Sequence, residues 1–189
     1  IFEGDEAKCL EYLEYVFAKE GDIGAFIAET VRNTDVQLPS VTFWKAARAL
    51  CDKYGVVLIL DEIPIALGRT GKMFAFEHYG IEPDILCLGK GLGGGIFPQA
   101  CMVTRDRYNT FPDISLGHYT HEKSPLGAMA ALTTLEIIEE EKILHKVAGD
   151  SLTMCTSMTI LKEKYELIGD IRGRGLLWGV ELVTNRETK

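Results

Sequence analysis

The pattern of apolar and polar positions alternates between helical and strand-like segments over the first hundred residues. Apolar side chains at helical spacing predict one helix over residues 6–19 and another over 40–54, with Ser40 as the N-cap of the second. Short apolar runs predict four strands, at Ile23–Glu29, Val56–Leu60, Ile85–Leu88 and Ala100–Thr104. We expect Val56–Leu60 to be covered on both faces. This alternation predicts an α/β domain with a largely parallel sheet.

The pattern changes after Ser124-Pro125, where two long helical stretches follow each other. The apolar spacing predicts one helix over 126–141 and another over 143–165. The segment 169–175 is rich in glycine, so we expect a turn-rich entry into a last strand at Leu176–Val183.

These two parts predict a division of the chain near residue 145. We expect residues 1–144 to form part of a larger α/β domain and residues 145–189 to begin a smaller α+β domain. The chain starts at Ile1 and not at a methionine, a helical pattern begins already at Glu6, and the chain ends in polar residues after a strand, which predicts an internal fragment of a longer polypeptide.

Composition argues against several classes of function. The 189 residues carry a net charge of −8, whereas nucleic-acid binding needs a concentrated basic surface. No apolar stretch reaches the length of a membrane span and no signal peptide opens the chain, so we expect no membrane association. The five cysteines are scattered without a Cys-x-x-Cys pair, which predicts a reduced, cytoplasmic protein with small buried thiols.

Lys90 and Asp61 are the candidate reactive groups, because each follows a predicted buried strand. Lys90 lies in a glycine run directly after Ile85–Leu88, and Asp61 follows Val56–Leu60. A desolvated lysine at a sheet edge can lose its proton and attack a carbonyl, and a buried carboxylate needs a cationic partner. The pair indicates Schiff-base chemistry with an aldehyde cofactor. Asp61 alone also fits a helix N-cap or an ion pair with Arg69.

Two other segments allow competing interpretations. Gly89, Gly91 and Gly94 fit the spacing of a dinucleotide-binding loop, but residues 96–99 are a poor helix start, and no Gly-Lys-Ser/Thr marks a P-loop. The segment 118–122 carries two histidines three apart, yet it lacks a helix and an obvious third ligand for zinc. We expect no metal there, and a loop that offers hydroxyl and N–H groups to a phosphate is the better interpretation.

Longer motifs then bring a family resemblance. The stretch 61–78, Asp-Glu-Ile-x-x-x-Leu-Gly-Arg-Thr-Gly-Lys-Met-Phe-Ala-Phe-Glu-His, is very similar to the signature of class III (ω-amino) aminotransferases. The segments 83–85, 88–90 and 171–175 match the same family in order and spacing, over nearly the whole chain. The resemblance implies the fold type I architecture of pyridoxal-phosphate enzymes and a homodimer. Residues 1–144 would then belong to the cofactor-binding large domain and 145–189 to the start of the small C-terminal domain.

The resemblance also implies roles for individual residues. Lys90 matches the lysine that forms the Schiff base with pyridoxal phosphate and then shuttles the proton, and Asp61 matches the partner of the pyridine nitrogen. Thr120 matches a threonine that reaches the cofactor phosphate of the neighbouring subunit, and Glu29 matches a glutamate near the active site. Arg172 is expected to order a turn rather than to bind substrate.

Departures from the family pattern bear on the chemistry and the specificity. Pro64 stands where the family usually has a glutamine that contacts the phenolic oxygen of the cofactor, which proline cannot do. Thr30 follows Glu29 where a proline is usual, and Thr34 stands where 4-aminobutyrate aminotransferases have a second glutamate. The family's N-terminal phosphate-binding loop and ring-stacking aromatic, and its C-terminal carboxylate-binding arginine, are expected to lie outside this chain.

The expected function is that of an aminotransferase that moves an amino group from an ω-amino acid or amine to a 2-oxo acid. Pro64 leaves open a pyridoxal-phosphate-dependent ammonia-lyase that acts on an amino alcohol phosphate or phosphonate. A third alternative is a catalytically incomplete fragment that retains the core without the activity.

Overall fold

The computed structural model describes residues 4–110, 113–114, 119–120 and 124–188. Its helices and strands follow in the order α1 (Glu6–Glu20), β1 (Ala25–Glu29), α2 (Val41–Tyr54), β2 (Val57–Asp61), β3 (Ile85–Leu88), β4 (Cys101–Thr104), α3 (Pro125–Glu140), α4 (Ile143–Lys164), β5 (Ile168–Arg174) and β6 (Leu177–Leu182). Short 3₁₀ helices lie at Ala75–His78, Lys90–Gly93 and Asp106–Tyr108.

The first four strands form one sheet in the order β1-β2-β3-β4. β1, β2 and β3 run parallel, and β4 pairs antiparallel with β3. Glu29 lies opposite Asp61, and Asp61 lies opposite Cys87, so these three residues share one edge of the sheet. The mixed α/β architecture with a mostly parallel sheet is as predicted. Asp61 is the last residue of β2 instead of the first residue after it.

The two helices that precede β2 begin and end where the sequence predicts. The Asp5 side chain accepts a hydrogen bond from the backbone N–H of Lys8 at the start of α1. The Ser40 hydroxyl likewise accepts from the N–H of Phe43, and Gly55 ends α2 in the left-handed region with φ 69°. These local signals fix the lengths of α1 and α2 independently of their packing.

The hydrophobic core lies on one face of the four-stranded sheet. α2 contributes its buried stripe of Trp44, Ala47 and Cys51, and β2 contributes Leu58 and Leu60, which are fully buried. The intervening residues of β2 are only half-buried, so the prediction that both faces are covered is wrong for this chain. On the opposite face Ile27 of β1 is 61% exposed.

The segment 169–175 forms a strand, so the prediction of a turn-rich entry is wrong. β5 pairs antiparallel with β6, and the tight turn between them begins only at Gly175, with φ 64°. A Cβ on Gly169 would lie 2.6 Å from Val183 Cγ1, and one on Gly173 would lie 2.5 Å from Trp178. The glycines are therefore needed for close approach of the partner strand, which a count of turn-forming residues does not distinguish from a loop.

The expectation of buried thiols holds for only part of the cysteines. Cys51 is buried, Cys9 and Cys87 are half-buried, and Cys101 and Cys155 are exposed. All five are free thiols in the structure, and the reduced state stays a prediction. Within the described part of the chain, no helix has both the length and the apolar character needed to cross a bilayer.

Candidate active site

The carboxyl edge of the parallel strands gathers the predicted site residues. Glu29 ends β1 and Asp61 ends β2, directly opposite each other in the strand register. β3 ends one residue after Cys87, and Lys90 follows two positions later. In open α/β sheets, ligands bind beyond this end of the strands. The structure therefore brings Lys90, Asp61 and Glu29 to one edge, as the sequence predicted for the lysine and the aspartate.

Lys90 begins the 3₁₀ helix Lys90–Gly93 with an unusual backbone. Its φ is 45°, in the left-handed region that non-glycine residues rarely adopt, and this strain is typical of functional positions. The preceding Gly89 packs against Ile63. A Cβ at this position would lie only 3.3 Å from Ile63 Cγ2, so a larger residue would crowd Ile63. The side chain of Lys90 is exposed, so this chain alone does not provide the desolvation that we expected.

The short helix after Gly89 also bears on the competing dinucleotide interpretation. A 3₁₀ helix does open at Lys90, but it ends at Gly93, and Gly94 follows in the left-handed region with φ 64°. One turn of helix does not provide the long helix whose N-terminus binds a pyrophosphate in that fold. The glycine run instead packs its backbone closely on the loop after β2.

Asp61 presents one oxygen to the protein and leaves the other available. Its Oδ1 accepts a hydrogen bond from the N–H of Ile63 at 3.0 Å, which is the local capping role that the sequence allowed. Among the described residues, Asp61 forms no ion pair with Arg69, and Oδ2 accepts no hydrogen bond. The side chain is half-buried, so the fully buried carboxylate expected here is not Asp61.

Glu62 is the buried carboxylate, and the sequence analysis missed it. Its side chain is 0% exposed and accepts hydrogen bonds from the Thr30 hydroxyl at 2.8 Å and from the N–H groups of Ala75 and Phe76 at 2.7 Å. Burial raises the pKa of this carboxyl group, and the three hydrogen bonds oppose that shift. A charged residue between Leu60 and Ile65 was the available signal, because an acid in so apolar a stretch must find partners.

Glu29 and Arg172 are tied to the same turn. The carboxylate of Glu29 accepts a hydrogen bond from the N–H of Asn33 at 2.6 Å, at the start of the turn over residues 33–36. The guanidinium of Arg172, on β5, donates to the backbone carbonyl of Asp35 at 2.7 Å. Arg172 therefore contacts this turn from a strand, and the expectation that it does not bind substrate stays a prediction.

Pro64 lies in the first turn of the loop after β2. The N–H groups of Ile65 and Ala66 both bond to the carbonyl of Glu62, and Pro64 needs no donor at this position. Thr120 is exposed and lies in a turn. His118, His121 and Glu122 lie outside the described residues, so the phosphate-loop interpretation stays a prediction. Across the part of the chain that the structure describes, no group of three or more potential ligands could hold a metal ion.

These residues suit a flat cofactor that carries an aldehyde and a protonated ring nitrogen. The exposed amine of Lys90 forms no hydrogen bond with the described residues and is available for a carbonyl. The uncommitted oxygen of Asp61 can accept a proton-bearing nitrogen. Gly89 and Gly91 leave the backbone on either side of Lys90 without side chains. The observed groups therefore fit pyridoxal phosphate.

Comparison with known proteins agrees with this fit. The family model described as "Aminotransferase class-III" matches residues 2–189. An amine transaminase from an uncultivated Pseudomonas species, solved in its PLP-bound form, superposes with a TM-score of 0.90 at 32% identity, over 97% of this chain and 44% of that one.

Two curated relatives differ in their reactions. The (R)-1-hydroxy-2-aminoethylphosphonate ammonia-lyase of Vibrio splendidus is 60% identical over 95% of this chain and 37% of its own length. The taurine–pyruvate aminotransferase of Rhodobacter capsulatus is 35% identical over 96% of this chain and 42% of its own length. The chain thus spans about two fifths of the length of these relatives.

Proposed function

The chain belongs to the class III aminotransferase family, and from this membership we propose that the whole protein is an enzyme that acts on a primary amine with pyridoxal phosphate. The family indicates this cofactor, and a similar transaminase has been solved with it bound. The single observation that supports the proposal most directly is the shared sheet edge of Lys90, Asp61 and Glu29.

Each residue has a distinct task in this proposal. When bound, pyridoxal phosphate supplies an aldehyde that takes up the substrate amine and a ring that accepts electrons from the adjacent carbon. The free oxygen of Asp61 holds the proton on the ring nitrogen. Nζ of Lys90 removes the proton from the amine-bearing carbon of the substrate and returns it to a neighbouring carbon. The residues outside this chain must exclude water, because Lys90 is exposed here.

Amino transfer to a 2-oxo acid is the first candidate for the overall reaction. Its support is the breadth of the family, which includes the taurine–pyruvate aminotransferase and a Staphylococcus aureus adenosylmethionine-8-amino-7-oxononanoate aminotransferase that is 36% identical. In this reaction the amino group leaves with the acceptor, and a 2-oxo acid is therefore consumed. The amino donor would be an ω-amino acid or amine.

Elimination of ammonia is the second candidate, and a specific observation favours it. The ammonia-lyase of Vibrio splendidus is 60% identical to this chain, well above the 35% of the taurine aminotransferase. Pro64 adds support, because it cannot supply the amide contact that the family usually makes to the cofactor. The substrate class would be an amino alcohol that carries a phosphonate or phosphate. Of the two reactions, elimination has the more specific support.

One assay separates the two reactions. The full-length protein, loaded with pyridoxal phosphate, is incubated with 2-aminoethylphosphonates that bear a 1-hydroxyl group, with and without pyruvate or 2-oxoglutarate. Release of ammonia without any 2-oxo acid supports elimination. Formation of alanine or glutamate that depends on the 2-oxo acid supports transfer. If borohydride attaches no cofactor to Lys90, the catalytically incomplete alternative is correct.

We further propose the arrangement of the whole protein. Residues 1–144 would belong to the large cofactor-binding domain and residues 145–189 to the start of the small domain; the separation of the β5–β6 sheet from the four-stranded sheet supports this division. The enzyme would act as a homodimer, in which Thr120 reaches the cofactor phosphate of the other subunit. The exposure of Thr120 in the single chain is consistent with that role.

A further inference from the structure

Glu62 occupies a position that the proposed chemistry does not use. Its carboxylate is 0% exposed and is held by one hydroxyl and two backbone N–H groups, all of them neutral. Within the described residues it forms no ion pair. A buried anion without a cation is costly, so its hydrogen bonds must be well made.

The hydrogen bonds of Glu62 reach the ends of β1 and β3, the strands that neighbour β2 in the sheet. Through its side chain it contacts Thr30, which follows Glu29 at the end of β1. Its backbone N–H donates to the carbonyl of Cys87 in β3 at 3.1 Å, three residues before Lys90. Glu62 itself follows Asp61 at the end of β2. One residue therefore joins the ends of all three parallel strands.

The Thr30 end of this connection is itself held in place. The backbone carbonyl of Thr30 accepts a hydrogen bond from Nε1 of Trp44 at 3.0 Å, and both residues are almost completely buried. Trp44 lies in α2, which is anchored by the Ser40 cap. The end of β1 is thus fixed from the helix on one side and from Glu62 on the other.

The position of Glu62 in the chain leaves Asp61 free for a ligand. Successive residues at the end of a strand point to opposite faces, so the Glu62 side chain enters the core while Asp61 stays half-buried at the edge. The hydrogen bonds of Glu62 therefore hold the backbone next to Asp61, and they use neither oxygen of the Asp61 carboxylate.

We propose that Glu62 is a positioning residue, whose bonds to Thr30 and to the backbone of Ala75 and Phe76 hold Glu29 and Asp61 in register with Lys90. This role rests on the proposed function, since it concerns how the chain holds its cofactor. Glu62 touches neither cofactor nor substrate in this account. Its effect passes through Asp61 and Glu29.

The test uses the full-length protein and removes one hydrogen bond at a time. Thr30→Val keeps the shape of the side chain and deletes only the donor to Glu62, whereas Thr30→Ser keeps the donor. Leu58→Val is the matched control, because Leu58 is fully buried in the same strand but near its other end. Glu62→Gln is a second disrupting variant, since an amide cannot accept from both backbone N–H groups and from Thr30 in the present geometry.

The readouts are the dissociation constant of pyridoxal phosphate and the pH midpoint of the visible absorption band of the bound cofactor. We expect Thr30→Val and Glu62→Gln to weaken cofactor binding by about fivefold or more and to move the midpoint, with recovery in Thr30→Ser. Leu58→Val should lower the thermal midpoint and leave both readouts unchanged.

Two negative results can be told apart. If Thr30→Val and Glu62→Gln lose stability like Leu58→Val but keep the wild-type dissociation constant and pH midpoint, Glu62 is only a core residue and the positioning role is overturned. If borohydride attaches no cofactor to Lys90 in the wild-type protein, the proposed function fails, and the positioning role fails with it.

Discussion

The two ends of the four-stranded sheet bury a carboxylate in opposite ways. At the carboxyl end, Glu62 is held by neutral donors only. At the other end, Asp84 precedes β3 with a side chain that is 2% exposed, and it is bound by the guanidinium groups of Arg48 and Arg107 and by the N–H of Leu58. Asp84 thus lies in a network that compensates its charge, whereas the surroundings of Glu62 leave its charge without a counter-ion.

The pKa values follow the same division. Burial alone would raise the pKa of Asp84, but the Leu58 N–H and Arg48 outweigh it and lower the pKa from 3.8 to about 2. Burial raises the pKa of Glu62, and its neutral donors do not reverse the shift. Cations therefore stabilise the end of the sheet away from the site. At the end that carries Lys90 and Asp61, neither side chain forms an ion pair with another described residue, and our proposal assigns both to the cofactor.

The largest expected effect separates function from stability at the carboxyl end. Lys90→Ala should lower the turnover of the full-length enzyme by about 10³-fold or more, because it removes the group that we propose moves the proton. The thermal midpoint of the cofactor-free protein should stay the same, since the side chain is exposed. Lys72→Ala, at an exposed lysine in the loop after β2, is the control. Retention of a tenth or more of the activity would contradict the assignment of Lys90.

The next effect concerns the opposite end. Asp84→Asn should lower the free energy of unfolding by about 3 kcal/mol, because it removes the buried charged partner of the Arg48 guanidinium and leaves only the exposed Asp52. Urea unfolding measures this change. The dissociation constant of pyridoxal phosphate should stay at the wild-type value, and a large increase would show that the two ends are coupled.

The pH dependence of stability should have opposite signs at the two ends. The folded Asp84 has the lower pKa, so its contribution of about 2 kcal/mol is present above pH ~4 and is lost as the pH falls towards 2. The folded Glu62 has the higher pKa, so the protein loses stability as the pH rises above the ordinary value of 4.5. Urea unfolding over a pH series gives the free energy of unfolding as a function of pH. Compared with the wild type, this curve should be flatter below pH ~4 in Asp84→Asn and flatter above pH ~4 in Glu62→Gln. Identical profiles for wild type and both variants would exclude this contrast.

The smallest effect tests whether burial, rather than pairing itself, makes Asp84 important. Asp52 also pairs with Arg48, at 2.8 Å, but its side chain is 65% exposed. Asp52→Asn should change the free energy of unfolding by less than about 0.5 kcal/mol. A loss as large as that of Asp84→Asn would mean that the charge balance around Arg48 matters more than desolvation.

Much of the fold was predictable because its signals are local. The caps at Ser40 and Gly55 and the apolar runs of β2 and β3 depend on neighbouring residues, and these elements lie where the sequence placed them. β5 was mistaken for a turn because the reason for its glycines is not local. Gly169 and Gly173 leave room for Val183 and Trp178, which lie outside the segment 169–175. Long-range contacts decided that element.

The site divides in a similar way. Lys90 and Asp61 were found from the ends of apolar runs, and their shared edge followed from the parallel sheet. Glu62 was missed because its partners, Thr30 and Ala75, are 32 and 13 positions away in the chain. The expected desolvation of Lys90 was also not found, because its side chain is exposed among the described residues. Roles that depend on distant partners need the structure.

The hydrogen bonds between Glu62 and the 3₁₀ helix have a consequence for exchange with solvent. The amide protons of Ala75 and Phe76 are held by the carboxylate of Glu62, and not by a carbonyl group of their own helix. They should exchange with deuterium only when the loop after β2 separates from Glu62, an opening larger than local fraying. Their exchange rates would therefore report how often the carboxyl edge of the sheet opens, and ligand binding there should slow both.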